Sequence, residues 1–174
     1  ASLAAEALGK TPPADWRIVA QNIPLLKFPD GTTKENETYA GQIIKQADVN
    51  LLAYPLKVVT KKEDIVRDLD YYEPRLSPEG PAMGGAILSV LAARTGNPER
   101  AYKMFEKSYQ PNELPPFNVI AETAGGTNPY FATGAGGMLQ AALFGLGGLD
   151  IQAVGVKQLP SKLPKVLKYL TLKG

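Results

Sequence analysis

A chain of 174 residues is long enough for one domain with a buried core. Its 44% hydrophobic and 21% charged residues exclude a disordered tail, a collagen and a coiled coil, and a net charge of +2 gives no concentrated field for nucleic acid. Cys and His are both absent, which removes disulfides, thiolate metal sites and any mechanism needing a thiol or an imidazole, so chemistry must rest on carboxylates, Lys, Arg, Tyr or hydroxyls.

Residues 2–8 read as the end of a helix stopped by Gly9. Thr11 and Pro12 open a second helix with Trp16, Val19, Ala20 and Ile23 along one face, closed by Pro24. Residues 29–33 are a turn cluster. An apolar run over 43–54 holds Lys45, Gln46 and Asp48 and ends at Pro55. Thr60 with Glu63 has the spacing of a capping box before a helix over 63–71. Ser77-Pro78 caps a helix over 81–94 that stops at Gly96, and Asn97-Pro98 starts another over 99–109. Residues 111–130 form a long loop, extended over 117–121; such loops inside a domain are often functional. A glycine-rich helix over 134–146 follows, and 150–156 and 166–172 read as short strands around Pro160 and Pro164. Successive helices with short turns point to an α/α array. The uncharged stretch 123–149 is too rich in Gly, Thr and Asn for a membrane span, so no membrane partner is expected. The chain starts at Ala1 without Met, as expected of a piece of a longer chain or of one shortened upstream.

Three places carry candidate chemistry. Gly134, Gly136 and Gly137 have part of a dinucleotide-binding spacing, but Leu139 stands where a glycine is needed and no βαβ unit precedes, so close helix packing is the better use. Lys45, Gln46 and Asp48 lie between Ile43, Ile44 and Val49, Leu51, Leu52 in a stretch expected to be buried, where polar groups need a ligand or a partner; Asp48 pairing with Lys45 is the plainer alternative. Glu122 ends an apolar segment just before a Thr-Ala-Gly-Gly loop. It is either a loop carboxylate or a carboxylate facing a cleft, placed to act as a general base.

Three segments in order are similar to glycoside hydrolase family 65. The first is Ile44-Lys45-Gln46-Ala47-Asp48-Val49 with Tyr54-Pro55. The second is Tyr72-Glu73-Pro74-Arg75-Leu76-Ser77-Pro78-Glu79-Gly80. The third is Val119-Ile120-Ala121-Glu122-Thr123, followed by Phe131-Ala132-Thr133-Gly134-Ala135-Gly136-Gly137-Met138-Leu139-Gln140. The resemblance covers essentially the whole chain. It implies a mainly α fold, part of an (α/α)6 toroid of helical hairpins over 1–149, with a β passage over 150–174 toward a C-terminal β domain. It also implies inverting hydrolysis of α-linked glucosides, with Glu122 as general base, Lys45 and Gln46 in the glucose subsite, and neither metal nor cofactor. Phosphorylases of the family use a His-containing phosphate loop instead, which this chain lacks. The hydrolase branch further implies export or a periplasmic location. An inverting glycosidase also needs an acid roughly 6.5–9.5 Å from the base, and nothing upstream of Lys45 resembles it. The expectation is therefore a fragment, inactive alone, whose partners are an α-linked glucose disaccharide or glucosyl conjugate and the missing N-terminal half of the barrel or a second copy. The alternatives are a non-catalytic helical carbohydrate-binding or assembly domain and a disaccharide phosphorylase fragment.

Overall fold

The structure, a computed structural model, describes residues 1–172. It is mainly helical among these residues: α1 (Ser2–Ala7), α2 (Ala14–Asn22), α3 (Asp48–Leu51), α4 (Lys62–Tyr72), α5 (Met83–Arg94), α6 (Pro98–Lys107) and α7 (Ala132–Gln140). The last runs on as a π-helical segment, Ala141–Leu146. Two antiparallel hairpins complete the fold, β1 (Glu113–Leu114) with β2 (Val119–Ile120), and β3 (Leu149–Gln152) with β4 (Gly155–Gln158). No helix among the described residues is long and apolar enough to cross a membrane.

Helix α5 is the centre of the molecule. Its sequence, MGGAILSVLAAR, is apolar on all sides, as befits a helix covered on all sides. Leu88, Val90 and Leu91 are buried there with Leu69 of α4 and Met104 of α6. Glycines let its neighbours come close. A Cβ on Gly85 would lie 3.1 Å from the Met104 carbonyl oxygen, and one on Gly137 would lie 3.2 Å from the Ala86 Cβ. Close helix packing is thus what Gly137 serves, while Gly136 faces open space.

Helix α6 forms as its sequence signals: Pro98 takes the first turn and the Asn97 side chain accepts from the Arg100 amide. Helix α4 does not use the expected capping box. It starts at Lys62 with Lys61 in the cap position and no side-chain cap, which leaves Thr60 a residue too early. Its register follows the burial of Leu69 and Tyr72 instead. The Tyr72 hydroxyl donates to the Thr33 carbonyl (2.6 Å) and the Thr33 amide donates to Asp68 (2.8 Å), which ties the 29–33 turn to α4. Phe28, Tyr39 and Tyr71 pack around Tyr72.

Helices α1 and α2 are joined by an Arg17–Glu6 ion pair and bury no residue, so the apolar face of Trp16, Val19 and Ile23 stays open. Beyond α7, the expected strand over 150–156 is present as a hairpin from 149 to 158. The expected strand over 166–172 is absent. That segment is held by side chains instead, through Leu167 against the core around Ala92 and Leu146, and through the Lys165 amide donating to Glu99. The last two residues of the expected 150–174 passage lie outside the described residues.

Candidate functional site

The loop carrying Lys45 and Gln46 is anchored at both ends. Ile44 forms a parallel bridge with Leu76: its amide donates to the Arg75 carbonyl (2.9 Å) and its carbonyl accepts from the Ser77 amide (2.8 Å). Ala47 is buried in the core around α5. Gly80 crosses the loop so closely that a Cβ there would sit 2.9 Å from the Lys45 carbonyl oxygen. Along this loop Ile44 and Ala47 are buried while Lys45 and Asp48 are exposed. The expected burial of the polar cluster is therefore corrected: the Lys45 side chain is 67% exposed, Gln46 is half-buried and Asp48 is exposed.

Glu122 arrives from the other side. It follows strand β2 and the fully buried Ala121. Asn112 grips this segment through its side chain, whose Nδ2 donates to the carbonyls of Ala121 (3.2 Å) and Glu122 (3.0 Å). The Ala121 amide returns a bond to the Asn112 carbonyl (2.8 Å), and the Phe131 amide donates to the Ile120 carbonyl (2.8 Å). So placed, the Glu122 carboxylate meets the Lys45 ammonium at 3.8 Å. Both are solvated, Glu122 at 40% side-chain exposure, so the pair is an electrostatic neighbourhood more than a rigid clamp.

Gln46 faces a cleft of about 320 Å³. Asp48 and Leu51 of α3 form one wall, Met83 and Ile87 of α5 another, and Thr133 and Gln140 of α7 the third. An apolar cleft with a few polar side chains suits a small polyhydroxy ligand. Asp48 does not pair with Lys45. It lies beside Glu35, whose carboxyl is pushed up by burial and further by the Asp48 charge. Among the described residues, no group of three or more His, Cys, Asp or Glu side chains could hold a metal ion.

The structure thus brings Lys45 and Glu122 together, and Gln46, next to Lys45 in the chain, lines the cleft. Sequence reasoning missed Asn112, Thr133 and Gln140. Asn112 follows Pro111 in a polar turn, where Asn is an ordinary turn former, and nothing in its spacing marks a buried role. Thr133 and Gln140 lie one on each side of the glycine run, and a helical reading of α7 could have put Gln140 near Gly136 and Gly137 on one face.

Residues 21–112 match the model of the glycosyl hydrolase family 65 central catalytic domain. Along its whole length the chain is 56% identical to a kojibiose hydrolase of Mucilaginibacter mallensis, of which it covers 26%. It is 36% identical to a protein-glucosylgalactosylhydroxylysine glucosidase of Danio rerio, over 96% of the chain and 26% of that protein. It is 37% identical to an acid trehalase of Emericella nidulans, over 94% of the chain and 17% of that protein. The chain spans about a quarter of the length of the first of these relatives.

Proposed function

The chain belongs to glycosyl hydrolase family 65, and from that premise we propose that it supplies the general base and part of the glucose subsite of an inverting α-glucoside hydrolase. One observation carries the reading. Lys45 and Glu122, remote in sequence, approach to 3.8 Å, and Gln46, the residue after Lys45, lines a cleft between α3, α5 and α7. Glucose sits in that cleft with its hydroxyls on Lys45 and Gln46. Glu122 takes a proton from a water that attacks the anomeric carbon from the face opposite the leaving oxygen, which inverts the configuration. The acid that protonates the leaving oxygen comes from outside this chain, so the chain alone does not turn over.

In this reading residues 1–149 are the C-terminal portion of an (α/α)6 toroid and 150–174 lead to a β domain. The open apolar face of α2 is where the rest of the barrel seats, since a patch of this kind is ordinarily covered by a partner. The substrate is an α-linked glucose disaccharide or glucosyl conjugate. The relatives named above are called hydrolases of kojibiose, of trehalose and of a glucosylated hydroxylysine, which supports the class without choosing among them. Hydrolysis is favoured over phosphorolysis because Glu122 is present and the chain has no His.

The test is glucose release from kojibiose, nigerose and trehalose by the whole protein carrying this chain, with the product anomer followed by NMR. The glucose whose α bond is cleaved should be released as the β anomer while the leaving glucose keeps its own configuration, so trehalose should give one α and one β glucose per cleavage; phosphate should not raise the rate, and Glu122→Gln should lower kcat by about 10²–10⁴-fold. Equal rates for wild type and Glu122→Gln would remove Glu122 from the mechanism.

A further inference from the structure

We propose that Asn112 is a positioning residue for Glu122, an inference that rests on the reading of Glu122 as the base. Among the described residues, the Glu122 carboxylate is held by one ion pair at 3.8 Å between two solvated groups. Its side-chain contact therefore does not set where it stands. Its backbone must do so, and the local sheet is weak for the purpose: β1 and β2 pair over two rungs, Glu113 with Ile120 and Leu114 with Val119.

Asn112 supplies what the sheet lacks. It is 2% exposed, and both hydrogens of its carboxamide are spent on the two successive carbonyls of Ala121 and Glu122. Its own carbonyl takes the Ala121 amide. These three bonds carry the pairing one residue past the strands and hold the two peptide units on either side of the Glu122 Cα. Asn112 is itself referenced to the end of α6, because it closes the short helical turn Gln110–Asn112 and its amide donates to the Tyr109 carbonyl (2.9 Å). The base is thereby registered to the helix that packs on α5, which also provides Met83 and Ile87 of the glucose cleft. Distance matters here, since a misplacement of about 1 Å in a reacting group can cost on the order of 10²-fold in rate.

The experiment uses the whole protein and three variants. Asn112→Asp keeps the side chain's shape and removes its donor hydrogens. Ser89→Ala removes a comparable buried bond, from Ser89 to the Ala101 carbonyl (2.7 Å), away from Glu122. Glu122→Gln reports on the base. Asn112→Asp should lower kcat by about 10–100-fold with KM within about twofold, because substrate still binds while the base is displaced. Ser89→Ala should lose melting temperature yet keep kcat within about twofold. Amide exchange should speed up at residues 121–123 in Asn112→Asp and not in Ser89→Ala. A fall in Glu122→Gln with unchanged kcat in Asn112→Asp would overturn the role of Asn112 alone. Equal falls in Asn112→Asp and Ser89→Ala, or unchanged exchange at 121–123, would reduce Asn112 to a general stabiliser. Full activity in Glu122→Gln would overturn the base, and this role with it.

Discussion

Replacing Asp150 by Asn keeps the side chain's outline and removes its charge. In the native chain Asp150 is 5% exposed and receives Lys57 Nζ at 2.9 Å, Arg94 at 3.0 Å and Gln152 Nε2 at 3.1 Å. The Lys57 bond foremost, with Gln152 and Arg94, holds its carboxyl down from 3.8 to about 2. That difference corresponds to roughly 2–3 kcal/mol at neutral pH. Lys57 is 46% exposed, and solvent screening cuts the contribution to about 1–2 kcal/mol. The sign follows from the lowered value. The contribution is fully present above the unfolded-state pKa near 3.9, and it is lost as pH falls through about 4 toward 2. Urea unfolding of wild type and Asp150→Asn at pH 7, 4 and 3 reads this directly. At pH 7 the variant should be less stable by about 1–2 kcal/mol, a drop of roughly 2–8 °C in melting temperature, with the gap narrowing by pH 3. A gap of the same size at all three pH values would refute the reasoning, because a charge-independent packing loss would then account for it.

Two further outcomes are expected. Gly136→Ala should stabilise by about 0.5–1 kcal/mol, since its Cβ meets nothing within 4 Å in a regular helix, whereas Gly137→Val should destabilise by about 1–3 kcal/mol against Ala86 and Met83; thermal unfolding of the pair checks both. Lys45→Ala and Gln46→Ala should each lower kcat/KM for an α-glucoside by about 10–100-fold, the worth of a hydrogen bond between a sugar hydroxyl and a charged or strongly polar group, in initial-rate assays of the whole protein.

Much of the helical part is readable where punctuation and packing agree. Asn97-Pro98 and Gly96 mark the α5–α6 junction because a cap, a first-turn proline and a left-handed glycine all fall where the core wants a turn. Thr60 and Glu63 mislead because a cap is worth about 1 kcal/mol and the burial of Leu69 and Tyr72 outweighs it. Residues 166–172 have strand-forming composition but no partner among the described residues, and an unpaired strand is no strand. At the site, Lys45 and Glu122 could be singled out from residue type and neighbours. Their meeting depends on a parallel bridge at Ile44 and a side-chain clamp at Asn112, two tertiary features that leave no periodic trace.

Helices α1 and α2 bury no residue, so they have little to lose by opening. In the isolated chain this puts residues 1–22 at the low end of the local-stability scale, where a protease acting on transiently open states finds Lys10 and Arg17 before it finds Arg94, which is bonded to Asp150. The same residues become protected once something covers the apolar face. Cleavage at Lys10 and Arg17 is thus a gauge of assembly, read without any knowledge of the substrate.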